Sequence, residues 1–404
     1  MESDRVKKKV LVISIGWEQA PLIQKLVSFQ DMELELYGLH YPGSKVEESI
    51  FKQIEYIDYR DILKILEYAN TINPDFVISD EDDYGMFLQA ILAEKLNIPG
   101  PKIENAQIAC NKFLQRIKSV EQNINIPRHK LCKDVNEVYA FAREIGFPLI
   151  IKPIDSRGSI GVSKIETEYE INEKFLDALV ASPSFLTIVE EFIDGDHFNV
   201  DGYCFGSNEC KALAVSENIK SIESKGTVND SIIYGSVEPA LLRELLTYGT
   251  FVANQLGYFF GFFHGEFIRS RKEGKIFLTE MANRGGGILI SEVVLPYHTG
   301  SDFLDFYMTD CFGLKKHKVI NDLKRYCRID FVTLESGKIF KSIDKDYFFK
   351  KYNGIIDIVP FVNAGDLIPI VKDGSKRHIM LISNISENIT LNLIKSELQL
   401  AGIK

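Results

Sequence analysis

Between Phe262 and Ser291 the chain reads FFHGEFIRSRKEGKIFLTEMANRGGGILIS. Two apolar runs, Phe259–Ile268 and Lys275–Thr279, flank a polar Arg-Ser-Arg-Lys-Glu-Gly turn. This predicts a β-hairpin, because β-branched and aromatic residues bracket a glycine-containing connection of hairpin length. Glu266 and Glu280 fall near its two arms, and Asn283 and Arg284 follow before Gly285, Gly286 and Gly287. Two carboxylates from adjacent strands, beside an amide and a guanidinium, make a cage suited to Mg²⁺ (or Mn²⁺) and a polyphosphate. Taken alone, the hairpin reads more simply as two strands carrying solvated glutamates. The other segments reverse that reading.

Upstream, the apolar strand Leu149–Pro153 carries Lys152 and opens into Asp155-Ser156-Arg157-Gly158-Ser159-Ile160-Gly161-Val162. A small, glycine-bearing loop can press successive backbone N–H groups against phosphate oxygens, since glycine permits close approach and unusual dihedrals. Lys152 would add a compact positive charge to the same phosphates. A turn without function has the same local appearance. The next apolar strand, Leu186–Val189, runs into Glu190-Glu191-Phe192-Ile193-Asp194-Gly195. That suits an adenine slot, with main-chain groups reading the purine edge and Glu190 and His197 reaching N6 or ribose. A plain strand with a turn at Asp194-Gly195 fits the local pattern equally.

The elements that must position these groups alternate in type. Strands at Lys9–Ile15, Met32–Leu39 and Phe76–Ser79 alternate with helical segments at Ala20–Ser28, Tyr59–Asn70 and Tyr84–Leu96, which predicts a parallel sheet with helices on its faces. Gly16 follows the first strand, but no GxGxxG is present, so a dinucleotide fingerprint is absent. The acidic run Asp80–Asp83 stands at the carboxyl end of a strand, where open α/β sheets place ligands. Helix capping accounts for most of it, with one residue available to a substrate. A helix over Asn105–Gln122 carries Lys112, and others are predicted at Val135–Ile145, Glu168–Val180 and Pro239–Gly257. Phe198–Phe205 and Glu209–Ser216 form a hairpin, and the polar stretch Asn218–Ser236 reads as a mobile loop. Beyond Tyr326 the period turns mostly antiparallel, with strands at Arg328–Leu334, Lys338–Ile343, Gly354–Phe361 and His378–Ser383 and a last helix at Ile385–Ala401. The expected domains are 1–105, 106–320 and 321–404.

Composition narrows the function classes. With 404 residues, 45% hydrophobic and 26% charged, the chain is long enough for two or three packed domains. A net charge of −10, with no basic block beyond Lys7-Lys8-Lys9, excludes a nucleic-acid surface. No apolar stretch approaches the roughly 20 residues that span a bilayer, and the N-terminus lacks the apolar core of a signal peptide. A membrane role is therefore not expected. Six scattered cysteines without a CxxC pair read as reduced, mostly buried thiols of a cytoplasmic protein, not as a disulfide framework or zinc site.

The ordered set of Lys112, Ile151-Lys152-Pro153 with its glycine/serine loop, Val189–Gly195, Glu266, and Glu280 through Arg284 with the glycines resembles the ATP-grasp superfamily. The branch it is most similar to is that of carboxylate–amine ligases, which includes the L-amino-acid (dipeptide) ligases and the biotin-carboxylase-like group. The resemblance implies an ATP-grasp fold of class α/β (α+β central), with an N-terminal Rossmann-like α/β domain and a C-terminal, mostly antiparallel lobe. It implies ATP held by Lys112 and Lys152, by the loop containing Ser156, Gly158, Ser159 and Gly161, and by the strand Glu190, Glu191, Phe192 and Ile193 with His197 near the ribose. It implies Mg²⁺ on Glu266 and Glu280. Many members carry an asparagine two residues after the second glutamate; here that position is Ala282, and Asn283, one residue later, points to the opposite face of a strand. Arg284 matches the arginine that steadies the acyl phosphate or substrate carboxylate.

On the substrate side, the resemblance places an acidic residue at Asp83, and the counterpart of a substrate-binding Gly-His pair is Gly235-Ser236, ahead of Pro239. His264 shares the face of Glu266 by alternation, and Gly286 lies in the glycine run beside Arg284. The implied activity is ATP-dependent joining of a small-molecule carboxylate to an amine through an acyl phosphate, with Lys152 and Arg284 acting on the reacting groups. A homodimer is expected because related enzymes are often dimers. Two other outcomes stay open: an ATP-grasp carboxylase or phosphotransferase, and a nucleotide-binding protein that has lost catalysis.

Overall fold

The computed structural model describes residues 7–42, 48–221, 228–314, 318–371 and 377–403. The chain begins with a parallel sheet of order β3-β2-β1-β4, made of β1 (Lys8–Ile13), β2 (Leu34–His40), β3 (Gln53–Tyr56) and β4 (Phe76–Ser79). β1 is paired on both sides, so Val10 to Ile13 are fully buried and form the unbroken apolar run typical of an interior parallel strand. Helices α1 (Ala20–Val27), α2 (Ile62–Ile72) and α3 (Asp83–Leu96) accompany this sheet. Asp82 caps α3 by accepting the Tyr84 N–H, so part of the acidic run does the capping its position suggested.

The helix anticipated over Asn105–Gln122 is two helices, α4 (Ile103–Cys110) and α5 (Lys112–Glu121). Asn111 interrupts them with an extended backbone, and its side-chain oxygen accepts the N–H groups of Phe113 and Leu114, both at 3.0 Å. A short polar side chain that caps its own helix competes with helix continuation. The break puts Lys112 on the first turn of α5, where its backbone N–H donates to Ile154 O.

A second sheet, β5 (His129–Cys132), β6 (Leu149–Pro153), β7 (Ser163–Ile165) and β8 (Thr187–Glu191), is antiparallel with order β5-β8-β6-β7. Helices α6 (Val135–Ile145) and α7 (Ile171–Val180) pack on it around Val138, Phe141, Ile151 and Phe175.

The third sheet has eight antiparallel strands in the order β13-β12-β9-β10-β11-β14-β16-β15. It comprises β9 (Gly195–Cys204), β10 (Cys210–Lys220), β11 (Asn229–Tyr234), β12 (Gly261–Ser270), β13 (Ile276–Ala282), β14 (Cys327–Val332), β15 (Ile355–Pro360) and β16 (Ile379–Ser383). Helices α8 (Pro239–Gln255), α9 (Leu295–Thr299), α10 (Phe303–Cys311), α11 (Lys345–Lys351) and α12 (Asn388–Ala401) complete the described elements. The C-terminal strands therefore continue the central sheet through the β11/β14 pairing. One apolar core joins Val10 and Leu22 to Tyr203, Phe303 and Ile382, crossing the expected borders at 105 and 320.

Several expectations are corrected here. The described part of the stretch 218–236 is mostly strand: β10 runs on to Lys220 and β11 covers Asn229–Tyr234, while 222–227 lie outside the described residues. The strand expected at Lys338–Ile343 is reduced to single bridges at Ile339 and Phe340, and α11 follows it. Cys204 and Cys210 are joined as a disulfide across the β9/β10 hairpin, against the expectation of free thiols; their Cα atoms stand directly opposite in the register, 3.8 Å apart.

Gly202 marks the closest packing of the central strands: a Cβ there would lie 2.2 Å from the Phe263 ring and 2.4 Å from Lys211 O. Gly202→Ala is expected to lower stability by roughly 1–3 kcal/mol through overpacking, seen as a lower Tm with fold and oligomeric state unchanged. An unaltered Tm would show that β9 and β12 can separate without cost.

Candidate active site

The β12/β13 hairpin sets the centre of the site. Its register puts Glu266 directly opposite Glu280, with a bulge following at Glu266/Phe267. Like charges facing each other across a ladder destabilise it unless a cation intervenes. One cation is supplied by α5: Lys112 Nζ lies 2.9 Å from Glu280 Oε1 and donates to Ser156 O at 2.8 Å. Burial works to discharge Lys112, but Glu280 outweighs it and raises its pKa. For Glu266, burial opposes the charge, and Lys220, His264 and Lys152 together hold its pKa below the usual value.

β6 delivers Lys152 from the opposite side. Its Nζ lies 2.7 Å from Glu190 Oε2 and 3.4 Å from Thr279 O. The second oxygen of Glu190 accepts from Arg116 Nε at 2.7 Å, and Arg116 also donates to Thr279 O at 2.6 Å. Arg116 is fully buried and Glu190 only 3% exposed. Desolvation would raise the Glu190 pKa, yet the Arg116 and Lys152 charges hold it at about 2. The Glu190 side chain is thus committed to these two cations and is not free to read a purine N6. Glu191 likewise turns to Arg128, 2.7 Å away. The segment that leaves β8 brings Phe192 and Ile193 to the cleft. His197 on β9 also borders the cleft, and its desolvation lowers its pKa to about 4.

These groups line one cleft of ≈ 1330 Å³ between the three sheets, together with Ser156, Arg157, Gly158 and Ser159 of the β6–β7 loop. Ser159 and Gly158 hold φ of 60° and 61°, a left-handed backbone that turns the chain tightly within this loop. Arg284 reaches it from beyond β13. Its Nε and one terminal nitrogen donate to the two oxygens of Asp83 at 2.7 and 2.9 Å, and its other nitrogen donates to Gly285 O. Asp83 therefore fixes the guanidinium and is not free as a separate substrate contact. His264 and Glu266 share the cleft-facing side of β12. His264 Nδ1 donates to Asp201 Oδ1 at 2.6 Å, and Tyr234 donates to the other oxygen of Asp201 at 2.7 Å. Burial disfavours the charged imidazole, but Asp201 prevails and its pKa is raised.

Four sequence candidates fall outside the cleft lining. Asn283, just past β13, lies outside the lining, and its buried amide nitrogen donates to Phe260 O and Phe262 O at 3.0 and 2.8 Å. Gly161 packs under the loop against Ala181 and Pro153. Ser236 is exposed and contacts Glu217 and Ile233 O, each at 3.4 Å. Gly286 backs the His264 ring, where a Cβ would come within 2.8 Å of Nδ1. Conversely, Arg116, Asp201, Glu18 and Lys220 border the cleft or support its lining and were not anticipated. Arg116 stands four residues after Lys112 on α5, a helical spacing that could have flagged it. The others lie at strand ends or on neighbouring strands, with no local signature.

The residues present fit a divalent cation through the opposed pair Glu266 and Glu280. No cluster of three or more His, Cys, Asp or Glu side chains suited to a metal exists among the described residues. Phosphate oxygens would have to supply the remaining ligands. No helix of the described residues is long and apolar enough to cross a membrane.

Residues 145–292 match the ATP-grasp domain family. A D-alanine–D-alanine ligase of Pseudomonas entomophila is 35% identical over 113 residues, covering 27% of this chain and 34% of that protein. The chain thus spans about a third of that relative's length. In three dimensions an L-amino acid ligase from Bacillus licheniformis aligns over 98% of both chains, with a TM-score of 0.79 at 16% identity. The biotin carboxylase domain of Hydrogenobacter thermophilus 2-oxoglutarate carboxylase, a dimer in complex with MgADP and bicarbonate, aligns over 98% of this chain and 91% of its own, with a TM-score of 0.73 at 16% identity. At these identities the two structures establish the fold.

The Glu190 clamp generates a stability prediction. Its folded pKa of about 2 lies below the ordinary 4.5. The contribution is therefore complete above the ordinary value and is lost as pH falls toward the folded one. Arg116→Met should cost roughly 3–5 kcal/mol near neutral pH, because it strips one partner from a buried carboxylate. It should also flatten the acid loss of stability, as followed by urea unfolding at stepped pH. A variant as stable as the wild type would remove the clamp from the account.

Proposed function

As a member of the ATP-grasp superfamily, this chain is, we propose, an ATP-dependent carboxylate–amine ligase that forms an amide through an acyl phosphate and releases ADP and phosphate. One observation carries the reading: Lys112, Lys152, the opposed Glu266 and Glu280, and the Asp83-anchored Arg284 converge on a single cleft. Each component answers a need of phosphoryl transfer to a carboxylate, in which negative charge spreads over phosphate oxygens.

A substrate carboxylate oxygen attacks the γ-phosphorus of ATP. The new O–P bond forms as the bond to the β,γ-bridging oxygen breaks, and ADP departs. Lys152, oriented by Glu190, and Lys112, oriented by Glu280 and Ser156 O, place positive charge along the phosphates. A divalent cation on Glu266 and Glu280, when bound, would neutralise phosphate oxygens and orient the transfer. Arg284, held as a planar fork by Asp83, faces the acyl phosphate. The loop Ser156–Ser159, over the same cleft, screens that anhydride from water. The amine nitrogen then attacks the acyl carbon, the C–N bond forms, phosphate leaves, and the nitrogen gives up its proton. No protein nucleophile is needed.

The lysines, the glycine loop and the adenine strand are the nucleotide half of this reading; Arg284, His264 and the N-terminal loops are the substrate half. A carboxylase acting through carboxyphosphate would share the first half, as the biotin carboxylase likeness illustrates. Amine dependence separates the two.

The test is ADP and phosphate release with Mg-ATP over a panel of carboxylates and amines, with hydroxylamine as a trap. Turnover should require a carboxylate and yield a hydroxamate. Glu280→Gln and Lys152→Met should each lower kcat by roughly 100-fold or more. Bicarbonate-dependent turnover without a hydroxamate, or a phosphorylated product retained in place of free phosphate, would reject the ligase reading.

A further inference from the structure

Beyond Arg284 the cleft continues between the N-terminal parallel sheet and the C-terminal lobe, where it is bordered by Trp17, Glu18, Glu81, Asp82, Ile288 and Phe361. Six carboxylates gather at this end: Glu18, Asp80, Glu81, Asp82, Asp83 and Glu292. The nearby arginines are committed, Arg284 to Asp83 and Arg157 to Asp82. Glu18 keeps one contact, accepting the Ile288 N–H at 3.3 Å.

Glu81 is the telling residue. It is 7% exposed yet borders the cleft, and no cation, N–H or hydroxyl donor reaches either of its oxygens among the described residues. Behind it the Glu292 carboxyl is hydrogen-bonded to both Glu81 and Asp80, a group of buried carboxyls held together by shared protons and not by a cation. Glu81 also holds a φ of 56°, a left-handed backbone that a non-glycine residue adopts at a cost of order 1 kcal/mol. Burial, with Glu18 and Asp80 nearby, pushes its carboxyl well above the usual range. Unpaired buried carboxylates are costly and either keep protons or attract a cation.

Two aromatic rings line the same end of the cleft. Trp17, the chain's one tryptophan, is 44% exposed and packs at 5.3 Å on Phe361, which reaches the same space from the C-terminal lobe. Carboxylates facing exposed aromatic rings suit an organic cation, since rings attract ammonium and guanidinium groups and cover an apolar stem. A bare metal ion has no use for the rings, and no metal-suited cluster occurs there among the described residues.

We infer that this end of the cleft is a substrate subsite for an organic cation, an ammonium or guanidinium on an apolar stem, with Glu18 and Glu81 as counter-charges and Trp17 and Phe361 as its aromatic wall. It rests on the ligase reading for the statement that the occupant is a substrate, and it narrows the substrate class to one with a basic side group.

Calorimetric titration of the full chain, with and without MgADP, tests this using matched pairs: L-arginine against L-citrulline and L-lysine against L-norleucine. The cationic member should bind tighter by roughly tenfold or more, the effect of one desolvated charge partner. Glu81→Gln and Glu18→Gln should abolish the preference while ADP affinity is unchanged. Trp17→Leu, at a position 44% exposed, should weaken both cations while ADP affinity, unchanged, reports an intact fold. Equal binding of the neutral members, no binding of any of the four, or a preference that survives both glutamine variants overturns the subsite. Loss of ADP binding in the wild type overturns the ligase reading instead, so the two failures are distinguishable.

Discussion

Two carboxylates facing one another across a β-ladder govern this molecule. Glu266 and Glu280 repel, and the hairpin that holds them is braced on the side away from the cleft by Phe267, Leu278 and Met281 in a shared apolar core. That bracing lets the pair persist as a standing demand for positive charge. α5 meets part of it with Lys112, and β6 brings Lys152 to the same cavity. The surrounding architecture places cations and the glycine-bearing β6–β7 loop around this one electrostatic imbalance.

The cations are themselves positioned by buried acids. Glu190 holds Arg116 and Lys152, Asp83 holds Arg284, and Asp201 holds His264 between Tyr234 and the cleft. Such pairs contribute little net stability, because desolvating them offsets the attraction. Their value lies in geometry: a guanidinium gripped by both carboxylate oxygens presents its remaining N–H groups in a fixed plane. On the proposed reading, a developing phosphate charge would meet these groups with little reorganisation.

Much of this was legible in the amino-acid order. The hairpin with Glu266 and Glu280, strand β6 with Lys152, and helix α6 are local patterns of apolar period and turn chemistry, and they lie where the pattern puts them. What was hidden depends on side chains meeting from distant segments. Glu190 looked like a purine reader because nothing local announces that Arg116, 74 residues earlier, will take its carboxylate. Asp83 looked like a substrate contact because its partner Arg284 lies 201 residues away. The stretch 218–236 is polar enough to read as loop, yet β10 and β11 form because β9 and β14 offer ladder partners on either side. Asn283 sits outside the cleft lining, where the carbonyls of Phe260 and Phe262 receive its amide N–H groups, a pairing across about twenty residues that no local pattern announces.

The central claim is that a substrate carboxylate attacks the γ-phosphorus of ATP in this cleft. The most direct measurement supplies the carboxylate substrate with both oxygens as ¹⁸O and weighs the phosphate released during amide formation. Attack by that carboxylate predicts phosphate carrying one ¹⁸O atom, because the oxygen that bonds phosphorus leaves with it when the amine takes the acyl carbon. Phosphate without label would mean that water or another oxygen received the phosphoryl group, and the account would be wrong.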